Sequence, residues 1–354
     1  MKAKKWLASL FTAIISILLI MALTVFIYDP YCYYRIPEDR FIVNNYRFLN
    51  AGIAKNADYD TVILGSSMTQ NFNMDSFREK LGVNPVKLSI EAMSIEGMEL
   101  TYGLVDRIGK AQNVFVCIDL PSLNKNEDNL ETYATYLYND TVLDDYKYLF
   151  GYETWMRLLP VNIAFNLADT VGIKLPSFYA CKNIDDIGAW HNDATYDGEK
   201  IKANYINNNT GVSAQNTDGV YERMAKNADK IINIVCSDDT KNVTLFFPPY
   251  SALYWADLME KGLFEDYMKI KEYIVNQAEE KQNVTVYDFQ PMNIIADLDN
   301  YKDITHYSAD INEQMVDCFS EKRYLVNDEN ISQSIADLEQ IVDTFKKENA
   351  ELFQ

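Results

Sequence analysis

Short runs of β-branched and apolar residues alternate along this chain with segments of helical periodicity. Thr61-Val62-Ile63-Leu64 is one such run, and 113–118 is another. A run that is apolar on both faces indicates a strand of a parallel sheet, because helices cover such a sheet on both sides. The pattern predicts an α/β fold, a three-layer αβα sandwich around a mainly parallel five-stranded sheet. The predicted strands are 61–64, 86–89, 113–118, 242–247 and 283–288, and the predicted helices are 74–81, about 95–109, about 216–237 and 254–280.

Apolar residues at helical spacing mark the faces that should pack on the core. After the last strand, Ser308 is the predicted N-cap of a helix with Ile311, Met315 and Phe319 on one face. An acidic helix over 331–350 has its own apolar face and is predicted to pack on the domain. In the helix at about 216–237, the buried stripe should contain Val220, Met224, Ala228, Ile231 and Val235.

The interval of about ninety residues from roughly 122 to 215 is far longer than an ordinary crossover between parallel strands. It is therefore predicted to be an insertion. It is rich in aromatic residues and contains an apolar piece, 156–167, which is too short and too polar to span a membrane. Two interpretations stay open, a lid or membrane-facing cap and a packed helical subdomain.

An uncharged apolar run extends from Trp6 to Tyr28 near the N-terminus. It is long enough to cross the roughly 30 Å of hydrocarbon in a bilayer as a helix. Lysines precede it, so the positive-inside rule predicts a cytoplasmic N-terminus and an extracytoplasmic chain after residue 30. A cleaved signal peptide is the alternative, but residues 27–31 contain no small-residue cleavage site. We therefore expect a single-pass anchor in the cell membrane.

Charge and cysteine usage exclude several classes of function. The formal net charge is −20 and no basic stripe is present, whereas binding nucleic acid requires Lys and Arg to neutralise phosphates. Nucleic acid is therefore not an expected partner. The five cysteines are scattered, with no C-x-x-C motif, so neither a zinc site nor a disulfide framework is predicted, and we expect no metal and no cofactor. Cys117 and Cys236 are predicted to be buried.

Two motifs at opposite ends of the chain supply a serine nucleophile and its base. Gly65-Ser66-Ser67 follows the first predicted strand, and Asp303-Ile304-Thr305-His306 follows the last. A serine hydroxyl attacks only when a base takes its proton, and a third group must hold the tautomer of that base. Both motifs fall at the carboxyl ends of strands, where α/β sheets bind ligands. We predict Ser67 as the nucleophile, His306 as the base and Asp303 as its orienting carboxylate.

These motifs resemble the first and last blocks of the SGNH, or GDSL-like, hydrolase superfamily, which read G-D-S and D-x-x-H. Ser66 stands where that family usually has aspartate. The resemblance extends over about 57–120 and 216–322 but not over the insertion. It implies a flavodoxin-like sheet and serine esterase or acyltransferase chemistry.

The chain looks most like the membrane-anchored extracellular branch that accompanies cell-envelope acylation. This resemblance implies a cell-surface polysaccharide or a teichoic acid as substrate and a membrane-bound O-acyltransferase as donor partner. It also implies an oxyanion hole built from three candidates. These are the N–H of Ser67, the N–H of Ala92 where the second block usually has glycine, and Asn124 in place of the third-block asparagine.

Three further side chains are candidates for contacting a substrate. Trp190 and His191 lie in the insertion, and His191 is either a contact at the rim of the pocket or a surface or packing histidine. Tyr250 follows Pro248-Pro249 at the end of the fourth strand. That turn either shapes the floor of a pocket or is rigid without a role in binding.

The predicted organisation is an anchor over 1–30, a catalytic domain over 31–322 that contains the insertion, and a C-terminal acidic helix over 323–354. The leading hypothesis is an anchored extracytoplasmic serine enzyme that removes or transfers an acyl group, preferably acetyl, on a cell-surface polysaccharide. One alternative is transfer of D-alanine to teichoic acid. Another is a non-catalytic envelope assembly or polysaccharide-binding protein on the same fold.

Overall fold

The computed structural model describes residues 2–176, 179–191, 194–208, 210–212 and 218–353. The predicted end of the insertion at 215 and the predicted helix start at about 216 lie outside these residues. In chain order the helices are α1 (Lys2–Tyr28), α2 (Tyr46–Asn56), α3 (Met74–Leu81), α4 (Ile95–Ile108), α5 (Leu120–Leu123), α6 (Asp145–Phe150), α7 (Leu159–Thr170), α8 (Gly198–Asn208), α9 (Val220–Val235), α10 (Ala252–Glu260), α11 (Phe264–Glu279), α12 (Ala309–Glu321) and α13 (Ile331–Glu348). The strands are β1 (Ile42–Val43), β2 (Thr61–Leu64), β3 (Pro85–Lys87), β4 (Asn113–Cys117), β5 (Ala180–Cys181), β6 (Asn242–Phe247), β7 (Val284–Asp288) and β8 (Leu325–Val326).

The chain divides into two compact units. Met1–Ala57 and Glu131–Ile187 form the first, called here the N-terminal unit. Asp58–Leu130 and Gly188–Gln354 form the second, called the sheet unit. Most of the predicted insertion therefore groups with the segment that precedes the first strand of the main sheet, and its two ends, 122–130 and the part after 187, group with the sheet itself.

The sheet unit is built on a six-stranded sheet in the order β3-β2-β4-β6-β7-β8. The first five strands are parallel, which confirms the predicted α/β class and the mainly parallel sheet. The predicted count of five is wrong, because β8 adds an antiparallel edge strand beside β7. Two residues are too few to show a strand pattern in the sequence. All four residues of β2 are buried, as expected for a strand covered on both faces.

Helix packing follows the predicted apolar faces. The predicted stripe of α9 is confirmed, since its five residues are all buried, and α9 packs against α4 and α11. The apolar face of α12 is also buried, and α13 packs on α10. Ser308 stands at the N-cap of α12, but its hydroxyl makes no capping hydrogen bond. The predicted single helix over 254–280 is two helices, because Gly262 in the left-handed region ends α10 in a turn before α11.

The strand order reverses at β2, which has β3 on one side and β4 on the other. Connections leaving neighbouring strands at such a point diverge and leave a crevice at the carboxyl edge of the sheet. The segment after β2 begins with Gly65, Ser66 and Ser67. The fold therefore places the predicted nucleophile where an α/β sheet has room for a ligand.

The N-terminal unit begins with α1. Within the described part of the chain, α1 is the one helix long and apolar enough to cross a membrane, by length and composition. Asp29 directly follows α1 and links its end to the rest of the unit. The Asp29 carboxylate accepts hydrogen bonds from the backbone N–H groups of Tyr33, Tyr34 and Arg35 and from the hydroxyl of Tyr148. Helices α6 and α7 pack against α1, and β1 pairs with β5 in a small antiparallel sheet.

Candidate active site

The predicted nucleophile, base and orienting carboxylate lie in one hydrogen-bonded row. The Oγ atom of Ser67 is 2.8 Å from Nε2 of His306. On the other side of the imidazole, Nδ1 lies 2.7 Å from Oδ2 of Asp303 and 3.0 Å from Oδ1. Each group is within the distance that proton transfer requires. The arrangement is that of a serine nucleophile with a base whose tautomer is held by a carboxylate.

The backbone after β2 explains why this stretch reads Gly-Ser-Ser. A side chain at Gly65 would lie 2.6 Å from Cγ2 of Thr69 and 2.7 Å from Cβ of Cys117, so only glycine fits there. Ser66 caps a single 3₁₀ turn, Ser67–Thr69, by accepting the N–H of Met68. Ser66 therefore has a local structural role.

The loop that carries the base is shaped by the same carboxylate that orients the imidazole. Oδ1 of Asp303 accepts the backbone N–H groups of Thr305 and His306, each at 2.9 Å, and the hydroxyl of Thr305 at 2.9 Å. These bonds form a tight Asx-type turn. Burial by itself would raise the pKa of Asp303, but the hydrogen bond and charge of His306, with the two backbone N–H groups, hold that pKa well below its usual value.

Two side chains near the base tie its loop to the loop of the nucleophile. The hydroxyl of Tyr307 donates to the carbonyl oxygen of Met68 at 3.0 Å, and the amide of Asn312 donates to the same oxygen at 3.2 Å. Tyr307 and Asn312 are both buried. Because Met68 directly follows Ser67, these bonds set the separation of the hydroxyl and the imidazole.

Trp190 is in contact with the row of Ser67, His306 and Asp303. Its indole N–H donates to the carbonyl oxygen of Ser67 at 3.3 Å, and its ring stands edge-on to the ring of His306, with centroids 5.5 Å apart. Lys302 lies over the indole at 5.0 Å. Asn71 holds this segment, since its side-chain oxygen accepts the backbone N–H groups of Trp190 and His191.

The sequence reasoning did not find Asn71. The only signal was its position in the polar turn that directly follows Ser67. His191, predicted as a substrate contact or a packing residue, is partly buried, and its Nδ1 has no hydrogen-bond partner among the described residues. Its backbone rather than its imidazole is what the structure ties to the site.

Ala92, a predicted oxyanion donor, has a backbone conformation that is typical of glycine. Its φ angle is +50°, in the left-handed region that favours glycine. The turn that contains it is closed by the N–H of Met93 on the carbonyl of Ile90, and Ile90 in turn donates to the carbonyl of Gly65 at 3.0 Å. This second bond ties the turn to the residue two positions before the nucleophile.

Asn124 and Tyr250 are both engaged in structural hydrogen bonds. The side-chain oxygen of Asn124 accepts two bonds from the guanidinium of Arg223, at 3.0 Å and 2.6 Å. Asn124 makes no hydrogen bond to Ser67 or His306 among the described residues. Tyr250 is only 1% exposed and donates its hydroxyl to Asp119. The prediction of Tyr250 as a substrate contact is therefore corrected, because a side chain buried in the core cannot reach a ligand.

A cavity of about 450 Å³ opens beside the carboxylate of the row. The side chain of Asp303 is 45% exposed, and Ile304 and Thr305 also line the cavity. Tyr254 and Tyr267, each only 2% exposed, also contribute to its lining. Its remaining wall consists of Pro121, Asn124, Lys125, Thr210, Gly211 and Val212.

The wall at residues 211–212 is held by a buried carboxylate. Asp257 accepts the N–H of Val212 at 2.5 Å and the hydroxyl of Tyr205 at 2.8 Å, and it pairs with Lys261 at 2.8 Å. Hydrogen bonds and an ion pair of Asp257 therefore hold this part of the cavity wall in position. The size of the cavity lies within the usual range for small-molecule sites.

Within the described residues, no group of three or more His, Cys, Asp or Glu side chains could hold a metal ion. The five cysteines are free thiols, and Cys117 and Cys236 are buried, which confirms that prediction. No protein-family model matches this chain, and no match is found among curated proteins.

Proposed function

We propose that this protein is a membrane-anchored extracytoplasmic serine enzyme that removes or transfers O-acyl groups, preferably acetyl, on a cell-surface polysaccharide. The observation that carries the proposal is the row of Ser67, His306 and Asp303, with consecutive distances of 2.8 Å and 2.7 Å. Such a row makes a serine hydroxyl nucleophilic at neutral pH.

The chemistry would run in two balanced halves. His306 takes the proton of Ser67 as Oγ attacks the ester carbonyl, and then gives that proton to the departing alcohol, which leaves an acyl-serine. In the second half His306 takes a proton from water or from a sugar hydroxyl, whose oxygen attacks the acyl group. His306 then returns that proton to Oγ as Ser67 is released. Throughout, Asp303 holds the imidazole tautomer and stabilises its charged form.

Three observations support the resemblance to SGNH enzymes. The parallel strands follow the order 2-1-3-4-5, which is the flavodoxin-like order. The D-x-x-H loop follows the last of these parallel strands and meets the serine that follows the first. Finally, Ala92 has a left-handed backbone, in the region that favours glycine, and its N–H and that of Ser67 are the candidate donors for the oxyanion.

The cavity beside Asp303 supports a polymer substrate rather than a small ester alone. Its lining includes the neutral polar groups of Thr210 and Thr305, which suit the hydroxyls of a sugar unit. We place a sugar unit of the glycan in this cavity, next to Asp303. The apolar helix α1 and the lysines before it support anchoring with the sheet unit outside the cytoplasm, where a membrane-bound O-acyltransferase could supply acyl groups.

The chemical proposal is tested by hydrolysis of p-nitrophenyl acetate by the full chain and by its Ser67→Ala and His306→Ala variants. Each variant should lose about 10³-fold or more in kcat. Ser332→Ala, which removes an exposed serine of α13, is the matched control and should keep wild-type activity. Activity that survives in both site variants would reject the proposal.

A non-catalytic envelope assembly or polysaccharide-binding protein is the second candidate. It is favoured by the absence of glycine at position 92, which places an alanine in a backbone region that costs free energy. A fluorophosphonate probe separates the two candidates. An activated Ser67 is labelled and the label is lost in His306→Ala, whereas an unactivated serine does not react in either protein. Transfer of D-alanine to teichoic acid uses the same row, and a D-alanyl ester offered as substrate would reveal it.

A further inference from the structure

Large exposed apolar side chains are concentrated in one part of the N-terminal unit. Leu143 is 79% exposed, and others follow in two groups, one from 142 to 156 and one from 167 to 179. These two groups and α1 contain all the exposed large hydrophobic side chains of the described residues except one, Ile206, which lies in the sheet unit. The members of the two groups are Val142, Leu143, Tyr146, Phe150, Tyr152 and Met156, and then Leu167, Val171, Ile173, Leu175 and Tyr179. We call these eleven residues the apolar surface.

The turn after α7 shows the anomaly most clearly. Every residue from Val171 to Pro176 is exposed, and three of the six, Val171, Ile173 and Leu175, are large and apolar. Exposed turns of globular proteins are ordinarily polar, with Gly, Pro, Asn, Asp and Ser dominating. An apolar turn with this exposure indicates a surface that is covered by something else.

The apolar surface lies next to the end of the candidate membrane span. Residues 3–20 of α1 are all exposed, and its buried contacts begin only near residue 21. Helices α6 and α7, which carry or adjoin the apolar surface, pack on α1. Arg35 donates to the last carbonyls of α1, those of Phe26 and Ile27, at 2.7 Å and 2.8 Å. The apolar surface therefore begins at the level where the chain would leave the hydrocarbon.

Charge in this region differs from that of the whole chain. From Val142 to Lys182 four acidic residues are balanced by four basic ones, whereas the whole chain carries −20. Three of the four carboxylates are paired inside the region, in the salt bridges Lys147–Asp144, Arg157–Glu153 and Lys182–Asp169. An anionic membrane surface would repel most of this protein, but it would not repel this segment.

We propose that the apolar surface is a second membrane contact, which lies in the interface of the bilayer that holds α1. The tyrosines of the surface suit the headgroup level, where amphipathic aromatic rings concentrate. The apolar turn 171–176 enters the boundary of the acyl chains, to a depth of about 5–10 Å, as interfacial elements do. This contact does not depend on the proposed chemistry, since it uses none of the residues of the catalytic row.

The test uses the full chain in nanodiscs of phosphatidylcholine and phosphatidylglycerol, with no other protein present. Cys181, the one cysteine that is not buried, is changed to serine. An environment-sensitive fluorophore is then attached to one introduced cysteine, in Ile173→Cys or, as the matched control, in Ile206→Cys. The two positions are 59% and 56% exposed, so water reaches both equally unless lipid covers one of them.

Doxyl-labelled lipids should quench the fluorophore at position 173 at least about twofold and leave the one at 206 unchanged, because only the first lies within the acyl boundary. A label at Leu143 should behave like the one at 173. Equal quenching at 173 and 206 would overturn the inference. Quenching or blue-shifted emission at 173 that arises only when a second membrane protein is added would also overturn it, and would assign the apolar surface to a protein partner.

Discussion

Replacing Asp303 by asparagine tests the part of the site that the loop geometry makes most specific. Asparagine has the same shape, and its oxygen can still accept the backbone N–H groups of Thr305 and His306 that now go to Oδ1. What changes is the atom facing Nδ1 of the imidazole, where the carboxylate Oδ2 at 2.7 Å becomes an N–H donor. The substitution therefore removes one negative charge and the acceptor that holds the tautomer, with little change in packing.

The size of the effect follows from the exposure of the carboxylate. Two unit charges about 4 Å apart interact by about 4 kcal/mol at an effective dielectric constant of 20 and about 1 kcal/mol in bulk water. Because the Asp303 side chain is 45% exposed, an intermediate value of about 2–3 kcal/mol is reasonable for its interaction with the imidazolium. That energy corresponds to about a 30- to 150-fold loss of kcat from charge alone. The wrong tautomer adds to this loss, toward the roughly 10⁴-fold seen where such a carboxylate is fully buried.

The assay is hydrolysis of p-nitrophenyl acetate by the full chain, with kcat and KM measured separately. Thr305→Val is the matched control, because it removes the hydroxyl that bonds Asp303 at 2.9 Å and contacts Nδ1 of His306 at 3.2 Å but keeps the carboxylate. It should cost about 2- to 12-fold, the effect of a single neutral hydrogen bond. A loss in Asp303→Asn of less than about threefold, or a change in KM alone, would refute the role of Asp303 as the orienting carboxylate.

Four further outcomes are expected. Because folding lowers the pKa of Asp303, the ionised carboxylate stabilises the fold at pH values above its ordinary pKa of 3.8, and this stabilisation is lost as the pH falls below 3.8. The urea midpoint of wild type should therefore drop more between pH 6 and pH 3 than that of Asp303→Asn. Ala92→Gly should leave activity intact and change the free energy of unfolding by between about 0 and +1 kcal/mol, because relief of the left-handed strain competes with the chain entropy of glycine. The control Ala336→Gly, in α13, should lower the free energy of unfolding by about 1 kcal/mol, and destabilisation of equal size in both variants would contradict the observed φ. Trp190→Phe keeps a ring beside the imidazole but loses the N–H bond to the Ser67 carbonyl, so kcat should fall about 2- to 10-fold with folding unchanged, and an unaltered kcat would leave that bond without a role in catalysis. Lys271→Met should lower the free energy of unfolding in urea by about 3–5 kcal/mol, because it leaves the buried Asp288 carboxylate, 2.5 Å from the Lys271 ammonium, without its cation. The double variant with Asp288→Leu should recover most of that loss, and purely additive losses would show that the pair is not coupled.

Local patterns were sufficient for much of the sheet unit. The strands β2, β4, β6 and β7 were found within a residue or two of their bounds, because runs buried on both faces are apolar throughout. The stripes of α9 and α12 were found because helical spacing repeats over several turns. The edge strand β8 and the break between α10 and α11 were not, since two residues and one left-handed glycine make no periodic signal.

The site was predictable only as far as its groups are close in sequence. Asp303 and His306 are three residues apart, so one Asx-type turn can bring carboxylate and imidazole together. Trp190 was predicted as a candidate substrate contact, and its packing on His306 and its bond to Ser67 could not be read from the sequence. Tyr250 was predicted as a substrate contact and is instead buried, with its hydroxyl bonded to Asp119. Which side of a turn faces the ligand depends on neighbours that are distant in the chain.

The sequence by itself determined the α/β class, the apolar N-terminal helix and the pairing of Asp303 with His306, because each rests on a repeat or a spacing within a few residues. Only the tertiary structure decided that Ser67 meets His306, 239 positions away, and that Asn71 and Trp190 complete the site. It also decided which apolar residues of 142–179 stay uncovered. The physical reason is the same in each case, since burial and hydrogen bonding between distant segments depend on how the whole chain packs, and no local period records that packing.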